Sequence, residues 1–411
     1  MKKLLCLALT AVLAFSAVAC GSSDSGAADS TASTDAADTS DAADDTAEAA
    51  GDSAASAEGV LKIGGIGPTT GGAAIYGTAV MNAAQMAVDE INAAGGINGM
   101  QIEFRFEDDE SDAERSINAY NTLKDWGMQM LMGTVTSTPC TQVATKTEAD
   151  NMFQLTPSGS AVESIAPANA FRVCFSDPNQ GMASAQYIGE HDLASKVAVI
   201  YDSSDVYSSG IYEKFAQEAA NQGIEIVAAE AFTADNKTDF SVQLQKAKEA
   251  GAELVFLPIY YTEASIILTQ ANGMGYDPIF FGCDGLDGIL GVEEFDTSLA
   301  EGVMLLTPFA ADAEDEATQA FVTAYQEKFG DIPNQFAADA YDAIYIIKAA
   351  AEQAGVTADM SISDMCEAMK TAMTEITVDG LTGQGITWSA DGEPTKEPKA
   401  VQIVDGVYTA M

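Results

Sequence analysis

The sequence predicts an α/β fold of two lobes, each a doubly wound parallel sheet with helices on both faces. Three observations lead to it. Strand and helix patterns alternate along the chain, and repeated βα units demand a parallel sheet covered on both sides. The alternation runs once from residue 60 and restarts after residue 177. At about 150 residues per domain, the 411 residues allow two large domains with some length to spare.

The spare length begins at the N-terminus. Met1-Lys2-Lys3 is a positive n-region and Leu4 to Val18 an apolar h-region, too short to span a bilayer, so residues 1–19 read as an export signal peptide. Cys20, which follows Ala19 and precedes Gly21-Ser22-Ser23, resembles the lipid-accepting cysteine of a bacterial lipobox; plain cleavage after Ala19 is the alternative. Residues 20–59 form a linker. From Gly21 to Gly59 there are ten acidic residues, no basic ones, and no Leu, Ile, Val, Phe or Tyr to bury. Such a stretch cannot offset the entropy of ordering it. As a coil it reaches roughly 35 Å and would tether a mobile domain to the membrane through the lipid.

The elements of the first run follow in order. Leu61–Ile66 is a strand. A helix from Tyr76 aligns Met81, Ala84, Val88 and Ile91 on one stripe and stops at Gly95-Gly96. Ile102, Phe104 and Phe106 alternate as a strand. Ser111-Asp112-Ala113-Glu114 has the form of a capping box opening the next helix. Met130–Gly133 is a strand, Thr138–Asn151 a helix and Met152–Leu155 a strand. The second run has strands at Val197–Tyr201, Ile224–Ala228, Leu254–Pro258 and Ile279–Phe281. Helices at Ser209–Gln222, Phe240–Ala250 and Thr262–Met274 separate them. A further strand at Val303–Leu306 precedes helices near Glu316–Phe329, Ala338–Ala354 and Ser363–Met373. Strands near Gly385–Trp388 and Val401–Val404 close the chain, a block too short to be a domain of its own.

Composition excludes several function classes. There are 62 Asp and Glu against 18 Lys and Arg, a formal charge of -44. No basic face for nucleic acid is available. With the linker acids and Lys2 and Lys3 set aside, residues 60–411 still carry a net -36. His191 is the single histidine, which rules out a multi-His metal centre. Its setting, Gly189-Glu190-His191-Asp192, reads as a surface helix end. No metal and no cofactor are expected. Cys140, Cys174, Cys283 and Cys366 would sit in an exported domain, where disulfides are allowed and buried free thiols are the alternative.

Gly65-Ile66-Gly67-Pro68-Thr69-Thr70-Gly71-Gly72 has a glycine loop between strand and helix. It fails the dinucleotide spacing, because Thr70 stands three after Gly67, and reads instead as a ligand-facing loop. Gly282 to Gly288 lacks the ligand count of a calcium loop. Open α/β sheets bind ligands in the loops after strand C-termini. Applied here, that rule selects Tyr76, Ser137, Thr156 to Ser160, Tyr207, Tyr260-Tyr261 and Asp284. Together they suit a zwitterion, with hydroxyls and helix amides for a carboxylate and a carboxylate for an ammonium.

At these residues the chain resembles the type I periplasmic binding proteins, in the branch of leucine/isoleucine/valine-binding proteins that serve ABC importers. The resemblance rests on Ile63 to Gly77, with its glycine loop and Tyr-Gly helix entry, and on Ala87-Val88-Asp89-Glu90-Ile91-Asn92-Ala93-Ala94-Gly95-Gly96-Ile97-Asn98-Gly99. It continues through Gly133 to Ser137, Thr156-Pro157-Ser158, Asp239 to Gln243 and Phe336 to Tyr341. The resemblance implies two lobes joined by a three-strand hinge. Residues 60–176 and 309–399 would form lobe 1, and residues 177–308 and 400–411 lobe 2.

It also implies roles. Ser137 matches a serine that holds a ligand carboxylate. Ser158 and Ser160 stand at the A-x-T positions that grip carboxylate and ammonium. Asp284 stands where the family has an acid against the ammonium. Tyr76, Tyr207, Tyr260 and Phe336 match aromatic pocket walls. The function implied is a non-enzymatic, lipid-anchored, extracytoplasmic monomer. It would capture an amino acid, plausibly branched-chain, between its lobes and deliver it to the permease and ATPase of an ABC transporter. A sensor presenting ligand to a receptor, a binder of an amide, urea or aromatic acid, and an enzyme on the same scaffold are the alternatives.

Overall fold

A computed structural model describes residues 59–411; the predicted signal peptide, Cys20 and nearly all of the acidic linker lie outside the described residues. The first run comprises β1 (Val60–Gly67), α1 (Ala74–Ala93), β2 (Gln101–Asp108), α2 (Ala113–Trp126), β3 (Met130–Gly133), α3 (Ser137–Asp150), β4 (Gln154–Thr156) and β5 (Ala170–Arg172). The second comprises α4 (Asp177–Glu190), β6 (Lys196–Asp202), α5 (Val206–Ala219), β7 (Glu225–Phe232), α6 (Ser241–Glu249), β8 (Leu254–Leu257), α7 (Tyr261–Gly273), β9 (Ile279–Gly282) and β10 (Met304–Thr307). The chain ends with α8 (Glu316–Phe329), α9 (Gln335–Gln353), α10 (Ile362–Met373), β11 (Val378–Gly380), β12 (Gly383–Ile386), β13 (Lys399–Val404) and β14 (Val407–Ala410).

The two lobes repeat one topology. The first sheet has the order β2-β1-β3-β4-β5, all parallel. The second contains β7-β6-β8-β9-β10, also parallel, which is the same winding of five consecutive strands. It is extended by β13 and β14, both antiparallel, so the second lobe is a mixed sheet. Apolar side chains fill both faces of the central strands, as burial beneath two helical layers requires; β3 and β8 are buried at every residue. In this winding the strand order reverses between β1 and β3 and between β6 and β8. Crevices for ligands open at such reversals, outside the strand C-termini.

Three crossings join the lobes: β5 to α4, β10 to α8, and the segment before β13. The first and last are tied together, since Arg172 N–H donates to the Gly392 carbonyl (3.2 Å) and Trp388 Nε1 donates to the Arg172 carbonyl (2.8 Å). Helix α9 packs along α1, so the closing helices complete the first lobe's layer.

Some elements differ from expectation. The N-cap of α2 is Asp112, not Ser111: Asp112 Oδ1 accepts from Glu114 N (3.0 Å) and Arg115 N (2.9 Å), while Ser111 sits in the left-handed region at φ 60°. An acid one residue nearer the helix captures its free amides better than a hydroxyl further back. The strand expected near Gly385–Trp388 lies at Gly383–Ile386 and pairs only with β11 in a separate two-stranded sheet. Strand β5 was not foreseen, and of helix α4 only the end at His191 was; β5 is three residues long, too short for any period to register. The four cysteines of the domain are buried free thiols.

Candidate ligand-binding site

Ser137, Ser158, Ser160, Tyr76, Tyr207, Tyr260, Asp284 and Phe336 line one narrow cavity between the lobes, together with Val135, Thr136 and Gly285. Loops after the C-termini of β1, β3 and β4 and the start of α9 supply one side. Loops after β6, β8 and β9 supply the other. All eight residues given roles by the resemblance are thus brought together, whereas Thr156, Pro157, Gly159 and Tyr261, also selected by the strand-end rule, do not line the cavity.

The first lobe contributes hydroxyls. Ser137 opens α3, and its Oγ accepts from the backbone amides of Ser160 and Ala161, both at 3.2 Å. Its Oγ also lies 3.4 Å from Ser160 Oγ, a pair in which either hydroxyl can donate. Ser158 turns its hydroxyl to the Val135 carbonyl (2.7 Å), which commits that side chain to its own lobe. The Gly159-Ser160 turn is held from behind by Arg172. Its buried guanidinium pairs with Glu393 (2.9 Å), and its Nη1 donates to the Ser160 carbonyl.

The second lobe contributes acids and rings. Asp284 Oδ1 accepts from Tyr207 O–H (2.7 Å), and the same phenol oxygen accepts from Gly285 N (2.9 Å). Burial raises the Asp284 carboxyl to about 7, against the opposing Tyr207 hydrogen bond. The Tyr207 and Tyr260 rings stack at 4.9 Å, and the Tyr76 and Phe336 rings of the first lobe face them at a mutual 4.2 Å. Burial pushes the hydroxyls of Tyr76, Tyr207 and Tyr260 well above the usual phenol value, so they act as neutral donors.

Further hydrogen bonds close the cleft. Tyr76 O–H donates to the Gly285 carbonyl, Ile75 N donates to Tyr261 Oη (3.1 Å), and Thr262 O–H donates to the Gly72 carbonyl (2.7 Å). Thr138 O–H donates to Asp205 Oδ1 (2.8 Å). Tyr76 is therefore a latch as well as a wall. The glycine loop read as ligand-facing is instead tied down, with Asp108 accepting from Thr69 N (2.8 Å) and Thr70 O–H (2.5 Å); of that region only Tyr76 reaches the cavity.

Four further groups stand around the site; the sequence reading weighed Asp287 only within the rejected calcium loop and passed over the other three. Asp177, in the first turn of α4, is 1% exposed, and neither of its carboxyl oxygens has a partner. Burial holds its carboxyl well above the usual range, opposed by the Ser160 side chain and reinforced by the nearby Asp284. The acid-proline pair Asp177-Pro178 is a helix-start signal that could have flagged it. Gln180, one turn later, accepts from Asp284 N (3.1 Å). Gln335 and Asp287 meet across the cleft at 2.8 Å, a pairing with no local signal. His191 is exposed at the end of α4, stacked on Tyr187. Among the described residues no group of three or more His, Cys, Asp or Glu is arranged to hold a metal ion, and no helix is long and apolar enough to cross a membrane.

Two parallel lobes with ligand-type polar groups converging between them define a clamp for a small solute. The chain belongs to the periplasmic binding protein family, which it matches over residues 60–407; the family is extracytoplasmic. It is 31% identical over 306 residues to the leucine-, isoleucine-, valine-, threonine- and alanine-binding protein of Pseudomonas aeruginosa, covering 74% of this chain and 81% of that one. Among solved structures it is similar to the branched-chain amino acid transporter substrate-binding protein of Streptococcus pneumoniae in complex with isoleucine. That match has a TM-score of 0.77 and 30% identity, covering 85% of this chain and 98% of the other. A solute-binding protein of R. palustris in complex with benzoate shares the fold at 18% identity and a TM-score of 0.76.

Proposed function

We propose that this chain captures an amino acid zwitterion, with a branched aliphatic side chain, in the cleft and delivers it to the permease of an ABC importer. One observation carries the reading: the Ser137 hydroxyl at the N-terminus of α3 and the Asp284 carboxyl face one cavity from opposite lobes. The carboxylate of the ligand lies at the α3 terminus, where the Ser137 and Ser160 hydroxyls and the helix dipole favour an anion. The ammonium lies at Asp284, which its charge would ionise. Tyr76, Tyr207, Tyr260 and Phe336 enclose the side chain. Ser158 acts through its backbone, since its hydroxyl is bonded to Val135. The relatives named for leucine, isoleucine and valine support the choice of ligand.

Seven of the eight residues are at most 5% exposed, so a ligand enters only when the lobes part. Binding then favours closure through contacts that exist only in the closed state. The moving bodies in this reading are residues 60–176 with 309–399, and residues 177–308 with 400–411. A monomer attached by lipid at Cys20 and tethered by the acidic linker places the clamp beside its permease. The work is capture and hand-over, with no bond made or broken.

The reading is tested by calorimetry and thermal shift of the domain against leucine, isoleucine, valine, alanine and benzoate. An amino acid at a hundred times its Kd stabilises by about 2.7 kcal/mol. A shift with benzoate and none with any zwitterion would replace the ammonium assignment with an aromatic acid.

A further inference from the structure

We propose that Gln335 is a positioning residue: carried on the first lobe, it holds the second lobe's Asp284 turn in binding geometry once the lobes close. The inference rests on the reading of Asp284 as the ammonium partner, and it starts from two buried bonds. Gln335 Nε2 donates to the Asp284 carbonyl at 2.9 Å, and Gln335 N donates to Asp287 Oδ2 at 2.8 Å. Both acceptors belong to one short turn after β9, in which Asp287 N also donates to the Asp284 carbonyl (2.9 Å). Gln335 is the first residue of α9, which packs on α1 and so moves with the first lobe. A single side chain and its own amide therefore reach across the cleft and grip both ends of the acid's turn.

The start of α9 explains why the grip forms there. A helix leaves its first amides without internal acceptors. Asn334 Oδ1 takes the amide of Ala337 (3.0 Å) from within the lobe, and Asp287 takes that of Gln335 from across it. A carboxylate at the N-terminus of a 19-residue helix is also favoured by the helix dipole. Asp284 is consequently held on two sides. Its amide is fixed by Gln180 within its own lobe, a bond that survives opening. Its carbonyl is fixed by Gln335, a bond that opening breaks. Phe336, next on the same turn of α9, brings a cavity wall with it. Closure thus assembles wall and acid in one step, and both interlobe bonds run between protein atoms alone.

Interactions formed only after encounter act on dissociation more than on association. Gln335→Met removes the side-chain donor while keeping length and helix, and Asp287→Ala removes the acceptor. Stopped-flow binding of leucine and isoleucine should show dissociation faster by roughly three- to tenfold in each variant, with association within about twofold of wild type. In parallel, spin labels at exposed Lys146 of α3 and Glu213 of α5 report the interlobe distance without ligand. Both variants should lose closed population relative to the parent protein. Unchanged dissociation in both variants, beside lost binding in Asp284→Ala, would overturn the inference and leave the ligand reading intact. If no amino acid binds the parent protein, the ligand reading fails. The distance measurement still decides the clamp, and an unchanged closed population would reject it.

Discussion

The two halves of the cleft are built differently. On the first lobe, the hydroxyl half is bonded within itself. Ser137 accepts from Ser160 and Ala161, Ser158 donates to Val135, and Thr156 O–H donates to the Thr134 carbonyl (2.6 Å) while accepting from Gly159 N (2.7 Å). The bonds of that set all lie within the first lobe, and Ser160 alone among its members also meets the other, its carbonyl accepting from Asp177 N (3.0 Å). On the second lobe, Asp284 and Gly285 are held partly by Gln335 and Tyr76, which arrive from the first. A preorganised face and a face completed on closure divide the work. One gives a ligand somewhere to land, and the other ties the ligand's charge to the closed state. Preorganised groups need no ordering at the moment of binding, which is why a first encounter belongs on that side.

The strongest way to break this contrast is Asp284→Ala. Removing one partner of a buried charge pair costs roughly 2–5 kcal/mol, so calorimetry should show amino-acid affinity falling by at least about thirtyfold. Undiminished affinity would place the ammonium elsewhere. Ser137→Ala is the counterpart on the other face. It removes one hydrogen bond to a charged group, worth about 1.5–3 kcal/mol, and the loss should be the same at every pH.

Dependence on pH separates the halves more finely. In the ligand-free closed site Asp284 titrates at about 7, raised by burial, and an ammonium ligand needs it ionised. Affinity should therefore be full above pH 7 and fall as pH drops through it, approaching tenfold per unit; a flat profile between pH 5 and 8 would reject Asp284 as the ammonium's partner. A separate expected effect concerns stability without ligand. Asp109, Asp284 and Asp287 are raised to about 7 and Asp339 to about 6, chiefly by burial. Folded protein then holds more protons than unfolded protein between the ordinary carboxylate value and these raised ones. Their contribution is complete below the unfolded value and is lost as pH rises through 6 to 7. Melting of the ligand-free domain should occur higher at pH 5.5 than at pH 8, and the reverse order would contradict the buried-acid description.

Much of this cleft was readable in advance. Tyr76, Ser137, Ser158, Tyr207, Tyr260 and Asp284 all lie just past a strand end or at a helix start, and that placement follows from local period and turn signals. Phe336 is different, because only its likeness to a family motif marked it. The pairing of Gln335 with Asp287 went unseen: 48 positions separate them, and each alone looks like an ordinary polar residue beside a turn. Asp177 went unseen for another reason. An acid beside a proline reads as a helix start, and only packing reveals that both its oxygens lack partners. The capping residue of α2 moved from Ser111 to Asp112 because two adjacent candidates differ in charge and reach, which a pattern of residue types does not rank.

By itself the sequence determined the alternation of strands and helices, the restart of the winding after residue 177, the ends at which polar loops gather, and the acidic stretch with nothing to bury. These depend on neighbours a few residues apart, where periodicity and composition act directly. Tertiary structure alone decided which carboxyls burial raises, that the glycine loop is tied to Asp108 with only Tyr76 of that region lining the cavity, and which bonds pass between the lobes. Desolvation and hydrogen-bond partners come from groups distant in the chain, and distance in space is settled only when the two sheets have packed.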